Sequence, residues 1–157
     1  MLPSHSLKIV LVEPEIPQNT GNIARLCAAT GTALHVVRPL GFFLTDKHFK
    51  RAGMDYLDRV AITVHDDLVA LFAAIGSEPF LLTTGLDDIP SVPHWSAGAA
   101  TNTWLLFGKE SAGLPTALLA KYPDRTIRIP MTAAERGLNL STSAGIVLYE
   151  ALRQLNV

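Results

Sequence analysis

Cysteine is nearly absent. The chain's 157 residues hold one, Cys27, so no internal disulfide can form and a reducing cytoplasm is the expected setting. Charge is scarce too: 17% of residues are charged, thirteen basic against fourteen acidic, for a formal net charge of −1. A sequence-blind nucleic-acid binder would be distinctly basic, so the balance counts against that class. Long apolar runs are also missing. The longest uncharged stretch, Ile89–Gly108, is interrupted by two prolines, His94, Ser96, Thr101 and Asn102, and does not read as a membrane span. The opening MLPSHSLKIVLVEPE has a strand-length apolar run and then acids, where a secretory leader is not expected.

Several motifs are lacking as well. No GxGxxG follows any predicted strand, which counts against a conventional dinucleotide site. Gly108–Gly113 has the G-x4-G spacing of a phosphate loop, but Leu114-Pro115 stands where Lys-[Ser/Thr] must follow. Nothing there would reach a nucleotide's β- and γ-phosphates or hold Mg²⁺, and Glu110 would put a negative charge in the cradle. The five histidines, His5, His35, His48, His65 and His94, are scattered with no pair at metal-ligand spacing, so no metal is expected. No G-x-S-x-G elbow occurs, and Cys27 falls on the apolar stripe of a predicted helix, as a core residue.

Apolar residues make up 48%, enough for one compact domain of residues 1–157 with a large core. Lys8–Glu13, Ala33–Val37, Ala61–Val64, Phe80–Thr83, Trp104–Phe107 and Thr126–Ile129 read as strands. Ile23, Leu26, Cys27 and Thr30, at i, i+3, i+4 and i+7, mark a helix stopped by Gly31; Asp66–Ile75 and Asn139–Leu155 mark two more, and Pro115 opens a fourth. Residues 41–59 read as irregular with short helical pieces, and Gly85–Asn102 as a long loop. Alternating strands and helices predict an α/β fold: a mostly parallel sheet flanked by helices, with ligands at the carboxyl ends of its strands. Charge is uneven: residues 65–124 hold two basic and seven acidic residues, while both flanking segments are mildly basic.

Three polar segments fall at strand ends. The first, Asn19-Thr20-Gly21-Asn22-Ile23-Ala24-Arg25, enters the first helix. Capping by Thr20 or Asn22 would be ordinary, but accounts for neither the second asparagine nor Arg25, on the flank opposite Ile23 and Cys27. The second is Phe107-Gly108-Lys109-Glu110-Ser111-Ala112-Gly113-Leu114-Pro115. The third runs from Ile127-Arg128-Ile129-Pro130-Met131 to Arg136-Gly137-Leu138-Asn139-Leu140-Ser141-Thr142-Ser143, with Asn139 or Ser141 as a helix cap. Each alone is weak; the ordered set is specific.

Together with RAGMDYLD (Arg51–Asp58) and the tail IVLYEALRQL, these segments make the chain resemble the SPOUT superfamily of RNA methyltransferases, in its TrmH-like branch. The nearest likeness is to the minimal type that methylates the wobble ribose of tRNA, and it runs from about Leu7 to Gln154. The extra N-terminal RNA-binding domain of larger members is not expected here. The resemblance implies a C-terminal trefoil knot, which pattern reasoning would not reach because true knots are nearly absent from proteins. It implies S-adenosyl-L-methionine as methyl donor, bound at Leu82, Gly108, Ile129 and Gly137, with Gly108 and Gly113 letting backbone approach the adenosine. It assigns Arg25 to catalysis, and Asn19, Asn22, Lys50, Arg51, Glu110, Arg136, Asn139 and Ser141 to the RNA substrate. Lys47 joins Lys50, Arg51, Arg25 and Arg136 as a candidate basic patch for tRNA. It also implies a homodimer built on the last helix. There Ala144, Val147, Leu148, Ala151, Leu152 and Leu155 form one apolar stripe, and Ile146 and Tyr149 lie off it, free for a partner.

The implied reaction is displacement at a sulfonium methyl by a ribose 2′-oxygen, which needs no metal and gains most from positioning. Arg25 could serve as base or as electrostatic positioner. A guanidinium stays protonated in proteins, which makes the second role physically easier. Two positions depart from the family pattern, Gly137 for serine and Thr142 for asparagine. They raise the alternative of an RNA- or donor-binding protein of the same fold that has lost transfer.

Overall fold

The computed structural model describes residues 1–132 and 137–156. Among these residues seven strands form one sheet in the order β3-β2-β1-β6-β4-β7-β5, every neighbouring pair parallel. They are β1 (Lys8–Val12), β2 (Ala33–Val37), β3 (Ile62–His65), β4 (Phe80–Thr83), β5 (Val92–Pro93), β6 (Trp104–Phe107) and β7 (Thr126–Arg128). Among the described residues five helices cover it: α1 (Pro17–Thr30), α2 (Lys47–Gly53), α3 (Leu68–Ile75), α4 (Thr116–Lys121) and α5 (Leu140–Leu155). A 3-10 segment, Met54–Arg59, follows α2. The expected parallel α/β architecture is present.

The sheet is buried on both faces, which is why its central strands read as unbroken apolar runs. On one face Ile9, Leu11, Leu34, Val36, Leu105 and Phe107 pack against Ile23 and Cys27 of α1 and Ala144, Val147, Leu148, Ala151 and Leu152 of α5. On the other, Val10, Val12, Val37, Leu82 and Leu106 pack against Leu71 and Ile75 of α3 and Leu119 of α4. Cys27 is fully buried in the first cluster, and burial pushes its thiol up to about 12, so it is inert as a nucleophile.

Two elements differ from the sequence pattern. The expected Gly85–Asn102 loop contains β5, an edge strand of two residues ending in proline, too short to show a period. Helix α1 begins at Pro17, so Asn19, Thr20 and Asn22 lie inside it and none of them caps it; the N-cap position is Ile16, without a side-chain bond. Proline at the first helical position was the local signal.

Gly21 explains how α1 meets α2. A Cβ there would lie 2.5 Å from Ala52 Cβ and 2.6 Å from the Phe49 carbonyl oxygen. The two helices touch backbone to backbone, and only glycine fits.

Away from these contacts, His35 Nδ1 and His65 Nε2 share one hydrogen bond at 2.9 Å, and His35 packs on Trp104 with ring centroids 4.6 Å apart. Burial, with the neighbouring His65 and Lys8 adding to it, lowers His35 to about 4. A folded-state value below the ordinary 6.5 means the fold favours neutral His35, so this stabilisation is full above about pH 6.5 and is lost as pH falls towards 4.

Two outcomes are expected. Gly21→Ala should lower stability by about 1–3 kcal/mol in urea unfolding, although alanine is the better helix former; an unchanged or raised midpoint would contradict the α1–α2 contact. Between pH 7 and 5 the melting temperature should fall less for His35→Gln than for wild type, and parallel pH curves would contradict the role given to His35.

Candidate active site

Where β4, β6 and β7 end, the chain leaves a cleft of about 430 Å³. Its walls are Thr83–Leu86 after β4, Phe107–Leu114 after β6, Ile127, Ile129 and Met131 around the end of β7, and Gly137–Leu140 leading into α5. Ile16 and Asn19, at the start of α1, complete the rim. The volume is that of a small-molecule site, and the position is where parallel sheets bind ligands.

The loop after β6 folds back on itself. Lys109 and Gly113 form a bridge, with the Gly113 N–H donating to the Lys109 carbonyl at 2.8 Å. A Cβ on Gly108 would lie 1.9 Å from the Gly113 carbonyl carbon, and Gly113 itself has φ +70°. Both glycines are therefore required by the loop's own closure, before any adenosine is considered.

Hydrogen bonds then join the three sequence segments. The Glu15 and Ile16 N–H groups each donate to the Glu110 carboxylate at 2.8 Å, and Asn19 Nδ2 donates to it at 3.2 Å. In return the Ser111 N–H donates to Glu15 Oε1 at 2.8 Å, and hydrogen bonding from Ser111 holds the Glu15 carboxyl below its usual range. Asn139 Nδ2 donates to Asn19 Oδ1 at 3.0 Å, while Asn139 Oδ1 caps α5 by accepting from the Ser141 and Thr142 N–H groups and from Ser141 Oγ. Thus Glu110, Asn19, Asn139 and Ser141 form one chain of bonds. It places a negative carboxylate at the positive N-terminal end of α1, an arrangement worth about 0.3–1 kcal/mol in addition to the hydrogen bonds.

The proposed site residues fall into distinct groups. Gly108, Glu110, Ile129, Gly137, Asn19 and Asn139 line the cleft. Leu82 is fully buried within the sheet, one residue before the lining begins. Asn22 and Arg25 are exposed on α1 and do not line it; Arg25 stands six residues beyond Asn19, about 9 Å along the helix. Lys47, Lys50 and Arg51 are exposed on α2. Arg136 lies outside the described residues. The sequence pattern did not single out Glu15, which answers Glu110, or the Thr83–Leu86 wall; neither carries a local signal, because both matter only through a loop far away in sequence.

Chemically, the cleft combines apolar side chains (Leu86, Leu114, Ile129, Leu138) with the main-chain polar groups of strand ends and two charged residues, Lys109 and Glu110. This fits a flat ring system carrying a polar sugar and tail. Among the described residues no group of three or more His, Cys, Asp or Glu is placed to hold a metal, and no helix is long and apolar enough to cross a membrane.

Known proteins match this arrangement closely. The chain is 47% identical over 148 residues to the tRNA (cytidine(34)-2′-O)-methyltransferase of Methylovorus glucosotrophus, covering 93% of this chain and 94% of that protein. It is 46% identical over 151 residues to the enzyme of the same name from Escherichia coli, covering 95% and 94%. A solved structure described as giving insight into 2-OH methylation of C/U34 on tRNA superposes with a TM-score of 0.91 at 42% identity, covering 98% of each chain. An AdoMet-bound rRNA methyltransferase from Sinorhizobium meliloti superposes at 0.83 with 25% identity, covering 98% of this chain and 58% of that one. The profile of the SpoU rRNA Methylase family matches residues 6–149, and the chain belongs to that family.

Proposed function

We propose that this chain is an S-adenosyl-L-methionine-dependent tRNA methyltransferase acting on the ribose 2′-oxygen of the wobble nucleotide, cytidine or uridine 34, in the anticodon loop. The reading is carried by 46–47% identity, over nearly the full length of both chains, to relatives that bear this activity in their names. The cleft supports it, since its size and mixed lining suit an adenosine with a short charged tail.

The donor falls to the main chain at the end of β4 from Leu82 onward, to Gly108, to Ile129 and to Gly137. Leu82 acts through its backbone, because its side chain is enclosed by the sheet. Gly137 likewise offers only main chain, so the family's serine is not needed for this contact. When bound, the donor would supply an electrophilic sulfonium methyl: an O–C bond to the ribose 2′-oxygen would form as the C–S bond breaks, with the neutral thioether leaving and the hydroxyl proton released to water. Ile129, Met131 and Gly137–Leu140, between β7 and α5, line the cleft, and this part of the chain is where a trefoil knot would be tied.

Asn19, Glu110, Asn139 and Ser141 already satisfy one another, so their part is to hold the rim against which RNA settles. Lys50 and Arg51, with Lys47 beside them and Arg136 from the third segment, take phosphates, and Asn22 faces outward beside Arg25. Single-stranded loops suit a small protein with so few cations, because splayed bases and the 2′-hydroxyl can be read directly. Arg25 binds the phosphate next to the target ribose and stabilises the developing alkoxide. A guanidinium, which stays protonated in proteins, is a poor proton acceptor.

A homodimer completes the reading. Along α5 the stripe from Ala144 to Leu152 is buried, whereas Ile146 is half-buried and Tyr149 is 51% exposed. Pairing through these residues would let one subunit present RNA to the donor held by the other, which suits an Arg25 lying off its own cleft. The setting is the cytoplasm, where a lone thiol stays reduced and tRNA is at hand.

In radiolabelled methyl transfer to tRNA, Arg25→Ala should keep donor binding but lose at least about 100-fold in rate. Lys50→Ala should mainly weaken tRNA binding, with a shallower salt dependence. Undiminished transfer by Arg25→Ala, or label on a base, would overturn the assignment. Tyr149→Glu should yield a monomer in light scattering; a wild-type monomer at micromolar concentration would contradict the dimer.

A further inference from the structure

Beyond Arg51, the RAGMDYLD segment has no task in the proposed reaction, and the structure brings its Met54 and Tyr56 against Arg25. Tyr56 places its ring 5.1 Å from Arg25 Cζ, and Arg25 Nη1 donates to Met54 Sδ at 3.9 Å. Among the described residues, Arg25 forms no ion pair with a carboxylate. A guanidinium held by a π face and a thioether keeps its full charge for a substrate, whereas a carboxylate partner would neutralise it.

The register of this contact is built into the backbone. Ala52 and Gly53 are small where Gly21 of α1 packs onto them, with Ala52 Cβ and Gly53 N 2.5 and 3.0 Å from the Cβ position. Gly21 lies one helical turn before Arg25. Immediately after Gly53, Met54 adopts φ +49°, a conformation that non-glycine residues rarely hold and that persists only where the surroundings impose it. The Gly53 Cβ position is itself filled by Leu57, 2.5 Å away, which pins the turn from the other side. The strained turn delivers Met54 and Tyr56 to Arg25.

We propose that Tyr56 and Met54 are positioning residues for Arg25, a cradle that fixes the direction of its guanidinium without consuming its charge. The proposal rests on Arg25 being the residue that stabilises the reacting ribose. Arg59, whose Cζ lies 5.7 Å from the same ring, is the second cation on Tyr56 and steadies the ring from solvent.

The test has two arms on the full-length protein. In NMR, the Arg25 side-chain protons should show an upfield ring-current shift that survives Tyr56→Phe and disappears in Tyr56→Leu; no difference between wild type and Tyr56→Leu would overturn the cradle. In single-turnover transfer, Tyr56→Phe should stay within about threefold of wild type, whereas Tyr56→Leu should lose about 10- to 100-fold in rate, as expected of a group displaced by an ångström. Its KM for tRNA and its donor binding should change by less than about threefold. In an Arg25→Ala background Tyr56→Leu should cost nothing further, because the two act as a unit. Raised KM with unchanged rate would mean that the ring stacks on RNA itself, and an additive loss would mean a general structural role; either overturns the proposal. If Arg25→Ala alone keeps its rate, the catalytic assignment of Arg25 fails; if it loses the rate while Tyr56→Leu does not, only the positioning claim fails.

Discussion

The Glu110 carboxylate accepts hydrogen bonds from two backbone N–H groups ahead of α1 and from Asn19 within it, and the rest of the site hangs from that junction. Hydrogen bonds to a charged acceptor are worth about 1.5–3 kcal/mol when shielded, somewhat less at a half-exposed rim. Their main effect is geometric. They lock the loop after β6 to the start of α1, and through Asn19 and Asn139 they lock both to the start of α5. Three segments spread over about 120 residues thereby become one rigid wall around the cleft. The same bonds occupy the Glu110, Asn19 and Asn139 side chains with protein partners, so in the proposed reading donor recognition falls to main-chain groups and apolar side chains.

Much of the fold was legible because a parallel sheet buried on both faces demands runs such as KIVLV and WLLF, bounded by glycine and proline. β2, β4 and β6 fall on the expected residues. What escaped notice lacked a local period. β5 exists only because β7 offers it an edge, and the two N–H groups just ahead of α1, at Glu15 and Ile16, are taken by Glu110, far away in sequence.

The site was legible in its parts and not in its wiring. That Asn19, Glu110 and Asn139 belong together was read from their order and their places at strand ends. That they bond to one another, and that Glu15 reciprocates through Ser111, depends on the sheet order that sets β6 beside β1. Gly108 shows the same limit. A glycine in a polar turn suggests an approach to a ligand, yet here it is the backbone of Gly113 and Leu114 that occupies the space. Arg25 is the opposite case: conspicuous in the sequence, it stands off the cleft of its own chain, held by neutral groups from a segment whose role only three dimensions reveal.

A cleft lined by main-chain groups, beside an exposed arginine without a carboxylate partner among the described residues, suits the proposed reading of an enzyme that works by positioning its substrates. The most direct measurement is mass mapping of tRNA from a strain lacking the gene, before and after incubation with the protein and S-adenosylmethionine. A gain of one methyl on the ribose of nucleotide 34, and nowhere else, is the predicted result. Methylation confined to a base, to another position or to ribosomal RNA would contradict it.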